Sequence, residues 1–192
     1  MRADPIAQFR RWYAAAARAG APLHDAMALA TADRRGAPSV RYVLLKGADE
    51  RGFVFFTDTR SRKGRELAAR RRAALAFYWD KISKQVRVEG RIEPVSAAEA
   101  DAYWVTRPRG SRLAAASSRQ SASMPSQDWL VGRWRRLQRD LAGRAVPRPA
   151  TWSGYRVVPD AIEFWRRGAH RLHHRARFDR ARRGWRRTLL QP

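Results

Sequence analysis

The chain reads Ile162-Glu163-Phe164-Trp165 near its end and continues, after four intervening residues, with His170-Arg171-Leu172-His173-His174-Arg175. Apolar and polar residues alternate through both stretches, which predicts β-strands over 161–166 and 172–178. On the second strand, Arg171, His173 and Arg175 would point to one face. Two guanidinium groups and an imidazole on one face suit a phosphorylated planar ligand, with the tryptophan as a flat wall beside it. The same pattern also fits a basic edge strand that resists aggregation.

The rest of the chain consists of short strands bounded by turns, with helices in the longer connections. Alternating or aromatic runs predict further strands over 26–32, 39–46, 52–57, 73–79, 84–95, 154–158 and 185–190. Capping residues and apolar spacing predict helices over 5–20, 61–72, 96–104 and 128–142, with a short one after Pro108. This order favours a mainly β protein, an antiparallel barrel with helical decoration. One domain spans residues 1–192, with an N-terminal helix in 1–20 and the quoted stretch within C-terminal strands in 146–192.

Composition narrows the class of protein. Lys and Arg number 41 against 17 Asp and Glu, a formal charge of +24. Such an excess raises nucleic acid as a partner, but the arginines are scattered from Arg2 to Arg187, so a nucleic-acid partner is not expected. The absence of cysteine excludes disulfides and thiolate metal sites, and the histidine spacing predicts no metal centre. Neither a secretory leader nor a membrane-spanning run is visible, so we expect a cytoplasmic protein.

Several short motifs occur in a fixed order along the chain. They are Arg41-Tyr42-Val43-Leu44-Leu45-Lys46, Phe55-Phe56-Thr57, Ser61-Arg62-Lys63, Gln85-Val86, Tyr103 with Arg107-Pro108 and Ser111, Gln120-Ser121, and the C-terminal stretch quoted above. Together they resemble the pyridoxamine/pyridoxine 5′-phosphate oxidase family over roughly residues 4 to 192. The resemblance implies an FMN-binding split β-barrel that forms a homodimer with flavin at the interface. It also implies oxidation of a small phosphorylated pyridine by molecular oxygen, without a membrane partner.

Residue chemistry and the resemblance agree on a flavin site. Ser61-Arg62-Lys63 at a helix start offers a hydroxyl, two cations and free backbone N–H groups, which suit a phosphate. Gln85, Gln120 and Ser121 are neutral donors and acceptors suited to the edge of a flavin ring. The resemblance assigns to FMN the residues Arg41, Tyr42, Val43, Leu44, Leu45, Lys46, Phe56, Thr57, Arg62, Lys63, Gln85, Gln120, Ser121, Trp165 and Arg175.

A second set of residues suits the substrate. Tyr103, Arg107 and Ser111 recur four residues apart, which predicts one helical or turn-like face fit for a second phosphate, although Pro108 interrupts the spacing. The resemblance assigns to the substrate Lys46, Tyr103, Arg107, Ser111, Arg171, Leu172 and His173. Arg171 and His173 are the candidate catalytic residues, expected to position and polarise the substrate at the reacting centre.

Three positions depart from the family pattern. Phe56 stands where Tyr is usual, Arg166 follows Trp165 where Gln, His or Gly is usual, and His174 replaces an acidic or amide residue. Loss of that acid would remove a partner for Arg171 or Arg175. These departures leave open a related FMN-dependent oxidase acting on another cyclic substrate, such as a phenazine precursor. A flavin- or nucleic-acid-binding protein without turnover is the alternative from another class.

Overall fold

The computed structural model describes residues 4–192. In this part of the chain a 9-stranded sheet is accompanied by five α-helices. The strands are β1 Ala26–Ala32, β2 Pro38–Leu44, β3 Gly47–Asp49, β4 Gly52–Asp58, β5 Arg72–Trp79, β6 Lys84–Pro94, β7 Trp152–Arg166, β8 His174–Arg180 and β9 Trp185–Leu190. The helices are α1 Pro5–Arg18, α2 Arg62–Arg70, α3 Ala97–Thr106, α4 Arg109–Ser117 and α5 Gln127–Asp140. The predicted class, mainly β and antiparallel with helical decoration, is therefore confirmed.

The sheet is antiparallel throughout and curls into a half-barrel. Its strands follow the order β2-β1-β5-β6-β7-β4-β3, and β8 and β9 extend it from β7. The 15-residue strand β7 pairs with β6 along one side. Its other side pairs first with β4 and then with β8. One strand therefore pairs with three others, β6, β4 and β8.

The prediction of two strands over 154–158 and 161–166 is wrong, because β7 is continuous. Pro159 has no backbone N–H to donate, and a Pro-Asp pair usually marks a turn. Here it falls at a β-bulge: Glu89 pairs with Ala161 and Gly90 pairs with Pro159, so that Asp160 is an extra residue. Gly90 permits this close approach, since a Cβ there would lie 2.1 Å from the Val158 carbonyl oxygen.

The strand predicted over 172–178 begins only at His174. The preceding residues, Ala169–Arg171, form a single 3₁₀ turn. His170 and Arg171 have φ values of 52° and 64°, which no extended strand can contain. The prediction that Arg171, His173 and Arg175 share one strand face is therefore wrong. Arg171 and His173 lie on a turn, and Arg175 lies on the strand.

Most other elements match their predicted positions within a few residues, while β3 was not predicted because three residues carry no periodicity. Helix α1 begins as expected: the Asp4 carboxylate accepts hydrogen bonds from the backbone N–H groups of Ile6 at 2.9 Å and Ala7 at 3.2 Å. Among residues 4–192, none of the helices combines the length and the apolar composition needed to cross a bilayer.

Helix α1 closes the open side of the half-barrel with aromatic contacts. The Phe9 side chain is 1% exposed. Its ring lies 4.8 Å from that of Phe53 and 5.1 Å from that of Phe77, both in edge-on arrangements. Edge-to-face pairs add attraction beyond the burial of apolar area. Phe9 thus joins the helix to strands β4 and β5.

We predict that Phe9→Ala lowers the free energy of unfolding by about 3–5 kcal/mol, because it leaves a cavity among rings that cannot collapse into it. Val105→Ala is the matched control, since Val105 is 65% exposed on α3 and such surface changes stay within about 0.5 kcal/mol. Urea unfolding followed by tryptophan fluorescence measures both. Equal stability of the two variants would contradict the assignment of α1 to the core.

Candidate active site

A cleft of about 600 Å³ opens between strands β2 and β4, helices α3 and α4, and the loop that follows α4. We call it the β2–α3 cleft. It brings together many of the candidate residues from distant parts of the sequence: Tyr42, Val43, Leu44, Lys46, Phe56, Thr57, Lys63, Tyr103, Arg107, Ser111 and Gln120. Thr106, Pro108 and Trp152 complete its lining. Two residues of the 41–46 motif do not line the cleft: the Leu45 side chain packs in the core, and the Arg41 guanidinium donates hydrogen bonds to Ser39 and Glu66.

The first turn of α2 forms one end of this cleft. The Ser61 hydroxyl caps the helix by accepting a hydrogen bond from the Gly64 backbone N–H at 3.2 Å. Lys63 is 8% exposed, and its Nζ donates to Gln120 Oε1 at 3.0 Å and to Thr57 Oγ1 at 3.4 Å. Burial lowers the pKa of Lys63, and the nearby Arg41 cation lowers it further. A buried cation held by neutral groups at a helix N-terminus is suited to bind an anion.

The loop after α4 carries the candidates Gln120 and Ser121, and it folds back onto α2. Gln120 Oε1 accepts a hydrogen bond from Thr57 Oγ1 at 2.7 Å. The Ser121 hydroxyl accepts one from the Arg62 backbone N–H at 3.2 Å. Ser121 has a φ of 69°, so the chain turns sharply there. Gln120 and Ser121 thus lie beside Lys63 and Arg62.

Behind the cleft, Arg41 and Arg62 share a buried carboxylate that sequence reasoning missed. Glu66 is 5% exposed. Its carboxylate accepts hydrogen bonds from Arg62 Nε at 2.8 Å, Ser39 Oγ at 2.7 Å, Arg41 Nη2 at 3.2 Å and the Thr31 hydroxyl. Burial alone would raise the pKa of Glu66, but these hydrogen bonds outweigh it and lower the pKa to about 2. The signal in the sequence was an acid four residues after Arg62 on one helix face.

Stacked aromatic rings form the other end of the cleft. The Phe56 ring lies 4.2 Å from that of Tyr103 and 5.3 Å from that of Trp152, with interplanar angles of 20° and 6°. The Arg107 guanidinium lies 4.7 Å from the centre of the Trp152 ring. Trp152 was not predicted as a site residue, because nothing in its local sequence sets it apart from core tryptophans. Phe56 keeps the ring needed for the stack although it lacks the hydroxyl of Tyr.

Arg107 is the unsatisfied group of the cleft. Its Nη1 is buried, and no residue among 4–192 accepts a hydrogen bond from it. Burial lowers the pKa of Arg107. A buried guanidinium nitrogen without an acceptor costs free energy unless a ligand supplies one. The geometry therefore fits an anionic group bound between Arg107 and its neighbours.

Tyr103, Arg107 and Ser111 do not share one helical face as predicted, although all three line the cleft. Tyr103 lies on α3, Arg107 is the residue that ends this helix, and Ser111 lies on α4. Pro108 prevents one continuous helix, because its ring fixes φ and it has no N–H to donate. The corner between the two helices, instead of one helix face, brings the three side chains together.

Lys46 lies at the rim of the cleft. Its Nζ forms an ion pair with the Asp25 carboxylate at 2.9 Å, with about a quarter of each side chain exposed. The β2 residues before it alternate as predicted, with Tyr42 and Leu44 exposed and Arg41 and Val43 half-buried. Lys46 follows the last residue of β2 by two positions, and its side chain lines the β2–α3 cleft.

The remaining candidates form a second group on strands β6, β7 and β8. Gln85 pairs with Trp165, and Trp165 pairs with Arg175, so the three stand in one row across the sheet. Arg175 Nε donates to the Glu163 carboxylate at 2.8 Å, which raises the pKa of Arg175. The expectation that His174 deprives Arg175 of an acidic partner is therefore wrong. Glu163, two residues before Trp165 on the same strand face, provides that partner.

The turn that carries Arg171 and His173 is held beside this row. The ring of His173 lies 4.6 Å from that of Trp165, and its Nδ1 accepts a hydrogen bond from the Gly168 backbone N–H at 3.3 Å. This bond favours the neutral tautomer with the proton on Nε2. Gly168 must lack a side chain, since a Cβ would lie 1.8 Å from the Leu172 carbonyl oxygen. Arg171 and Leu172 are exposed on the turn.

Two members of the second group line an opening other than the β2–α3 cleft. His173 and Arg175 border a smaller cleft of about 420 Å³ that also contains Trp12, Phe164 and Leu189. We call it the β8 cleft. Within residues 4–192 of one chain, the lining of the two clefts has no residue in common. The candidate residues thus divide into two groups that one chain does not bring together.

Solved structures define the class to which this fold belongs. PhzG from Burkholderia lata, solved with tetrahydrophenazine-1-carboxylic acid, is similar with a TM-score of 0.94 at 35% identity, over 98% of this chain and 93% of that one. A pyridoxamine 5′-phosphate oxidase-related FMN-binding protein from Nostoc punctiforme has the same fold, with a TM-score of 0.80 at 16% identity over the whole of both chains. The fold is that of the FMN-binding split barrels.

Sequence comparison places the chain more narrowly. Residues 14–138 match the family model described as pyridoxamine 5′-phosphate oxidase. Residues 152–192 match the pyridoxine 5′-phosphate oxidase C-terminal dimerisation region. Relatives named pyridoxine/pyridoxamine 5′-phosphate oxidase are 53% identical in Rubrobacter xylanophilus, over 98% of this chain and 87% of the relative, and 53% identical in Anaeromyxobacter dehalogenans, over 98% and 96%. The chain belongs to this family of enzymes.

The ionised state of Glu66 gives a prediction about acid stability. Its folded pKa of about 2 lies below the ordinary value of 4.5, so the charged form stabilises the fold above pH 4.5. This contribution, at most about 3 kcal/mol, falls away as the pH drops toward 2. The difference in unfolding free energy between the unaltered protein and Glu66→Gln should therefore be largest near pH 7 and shrink by pH 3. A difference that stays constant across this range would contradict the assignment.

Proposed function

We propose that the protein is an FMN-dependent oxidase that converts pyridoxamine 5′-phosphate, and also pyridoxine 5′-phosphate, to pyridoxal 5′-phosphate. Molecular oxygen is the acceptor and hydrogen peroxide the product. The observation that carries the proposal is the unsatisfied Nη1 of Arg107 in a cleft walled by stacked rings. A flat, phosphorylated pyridine supplies both an acceptor for Arg107 and a ring for the aromatic wall.

The flavin phosphate is proposed to bind at the N-terminus of α2. The Arg62 Nε donates a hydrogen bond to Glu66. Within residues 4–192 the terminal nitrogens of Arg62 have no acceptor and can bind a ligand. Lys63, Gln120 and Ser121 lie at the same helix start, where Ser121 accepts from the Arg62 backbone N–H and Gln120 accepts from Lys63. This donor set fits a phosphate monoester, which accepts charge-assisted hydrogen bonds best from guanidinium, ammonium and helix N-terminal groups. Bound FMN would supply hydride acceptance from the substrate carbon and reoxidation by oxygen.

The substrate phosphate is proposed to lie between Arg107, Ser111 and Lys46, with Tyr103 beside it. Lys46 is available to both ligands because it stands at the rim, where among residues 4–192 Asp25 is its one ion-pair partner. Arg171 and His173 are proposed to hold the substrate at its reacting carbon. The His173 tautomer presents an Nε2–H donor, and Arg171 presents a permanent cation. Backbone in the left-handed region at His170 and Arg171 is the kind of strain that accompanies functional turns.

A homodimer is proposed because the two groups of candidate residues are too far apart in one chain. Trp152 lines the β2–α3 cleft, and Trp165 stands beside the β8 cleft, at opposite ends of β7. At about 3.3 Å per residue the two are separated by roughly 40 Å along the strand, more than one flavin spans. A second copy that places its β8 cleft against the β2–α3 cleft would complete the site. The match of residues 152–192 to a dimerisation region supports this arrangement.

Oxidation of a phenazine precursor is the second candidate, favoured by the similarity to PhzG, which was solved with a tetrahydrophenazine carboxylic acid. That ligand carries a carboxylate in place of a phosphate. The two candidates therefore differ in how strongly turnover depends on the phosphate of the substrate.

The proposed function is tested with Arg171→Leu. Purified protein should be yellow and should form pyridoxal 5′-phosphate and peroxide aerobically, while Arg171→Leu should stay yellow and lose activity. Loss of a contact made in the transition state costs about 2–4 kcal/mol, roughly 30- to 1000-fold in kcat/KM. Peroxide release by both forms at matched flavin content is the measurement. Normal turnover by the variant would contradict the role proposed for Arg171. Negligible turnover of pyridoxamine 5′-phosphate by the unaltered protein would favour the second candidate.

The dimer has its own prediction. Sedimentation at micromolar concentration should give twice the mass of the 22.0 kDa chain, with FMN bound. Arg175→Ala should reduce FMN binding although it changes no residue of the β2–α3 cleft. The reason is that, in the proposed dimer, Arg175 contacts the flavin bound in the cleft of the partner chain. A stable monomer that retains FMN would contradict the arrangement.

A further inference from the structure

Two arginines near the proposed flavin phosphate differ in how many donors they have left. Arginine carries five N–H groups. Arg41 uses four hydrogen bonds on the protein: Nη1 donates to the Leu29 carbonyl oxygen at 3.2 Å and to Thr31 Oγ1 at 2.5 Å, and Nη2 donates to Ser39 Oγ at 2.5 Å and to Glu66 at 3.2 Å. Within residues 4–192 the Arg62 side chain donates only through Nε, to the other oxygen of Glu66. Arg41 is therefore nearly saturated by Leu29, Thr31, Ser39 and Glu66, whereas the terminal nitrogens of Arg62 have no acceptor in this part of the chain.

The position of Glu66 in the fold explains why the two arginines differ in their free donors. It lies four residues after Arg62 on α2, with its carboxylate turned inward to β1 and β2. The Arg62 side chain is 60% exposed, so without an anchor it would sample many rotamers. Holding its Nε removes most of that freedom before a ligand arrives, and preorganisation of this kind raises affinity by lowering the entropy cost of binding.

The charges of the group are consistent with a phosphate ligand. Three cations, Arg41, Arg62 and Lys63, stand against the single carboxylate of Glu66. The net charge of these four groups is close in size and opposite in sign to that of a phosphate monoester, which carries about −1.5 to −2 charges at neutral pH. Burial of Glu66 keeps this carboxylate from bulk water, so its hold on the arginines is weakly screened.

We propose that Glu66 is a positioning residue for the phosphate of the flavin, acting through Arg62. It fixes the Arg62 guanidinium by its Nε so that the two terminal nitrogens face the ligand, and it withdraws Arg41 into a supporting role. The inference rests on the proposed FMN site. It differs from that proposal because it concerns a residue that touches neither flavin nor substrate.

The test compares two flavins that differ only in the phosphate. Protein freed of flavin is titrated with FMN and with riboflavin, and binding is followed by quenching of flavin fluorescence. Glu66→Gln should weaken FMN binding about 10-fold, the effect of about one charge-assisted contact, and should leave riboflavin binding within about 2-fold. Asp160→Asn is the matched control, since it removes an acid that pairs with Arg72 and Arg91 and that lines neither cleft. It should change neither affinity.

A double-mutant cycle tests the route through Arg62. If Glu66 acts through Arg62, then Glu66→Gln should add less than about 2-fold to the loss caused by Arg62→Ala. Should Glu66→Gln not fold, Arg62→Lys serves in its place, because it keeps the cation but replaces the separate inner and outer edges of the planar guanidinium by one nitrogen at a single position. Arg62→Lys should then weaken FMN binding nearly as much as Arg62→Ala, with unchanged thermal stability.

Several outcomes would overturn the inference. They are unchanged or tighter FMN binding by Glu66→Gln, equal weakening of FMN and riboflavin, full additivity with Arg62→Ala, and normal FMN affinity of Arg62→Lys. Failure of the unaltered protein to bind FMN would instead refute the proposed function itself, and this inference with it.

Discussion

Strand β7 is the constraint on which the rest of the molecule depends. It hydrogen-bonds to β6 over nearly its full length, and on its other side to β4 and then β8. This ladder fixes the relative positions of the two clefts, because Trp152 near one end and Trp165 near the other belong to the same hydrogen-bonded element. The bulge opposite Glu89 and Gly90 lets so long a strand bend with the sheet. A rigid spacing between the two groups is what the proposed dimeric site requires, since in that proposal each group meets its counterpart on another copy.

Buried acids organise the cations in a chain with a large positive charge. Glu66 and Glu163 are both 5% exposed, and each accepts hydrogen bonds or ion pairs from two arginines, Arg41 with Arg62 and Arg175 with Arg87. A lone buried carboxylate would be costly, but one shared by two guanidinium groups is satisfied and also fixes them. These two buried acids thus hold arginines that belong to the candidate residues, whereas other arginines, such as Arg72 and Arg91, form ion pairs on the surface.

The sequence predicted the class of fold and most element positions, because strand alternation and helix caps are local signals. Turns that depend on tertiary contacts were harder. Pro159 and Asp160 read as a turn, yet they form a bulge because β6 provides the register and Gly90 the space. Leu172 and His173 read as strand, yet the positive φ values at His170 and Arg171 stop the extended chain. Neither residue is glycine, the usual choice for that backbone region, so the turn carried no glycine signal.

The motifs named candidate residues one by one but carried no information on how the fold groups them. The β2–α3 cleft gathers eleven of the candidates named from sequence. The residues that organise them were missed, because their roles exist only in three dimensions. Trp152 completes a stack begun by Phe56 and Tyr103 from two other elements. Glu163 takes the place of the acid missing at position 174 because strand pairing sets Arg175 beside Trp165, two residues further along β7. A departure at one position of a motif is therefore not by itself a loss of chemistry, since a strand neighbour can restore the same ion pair from another place in the sequence.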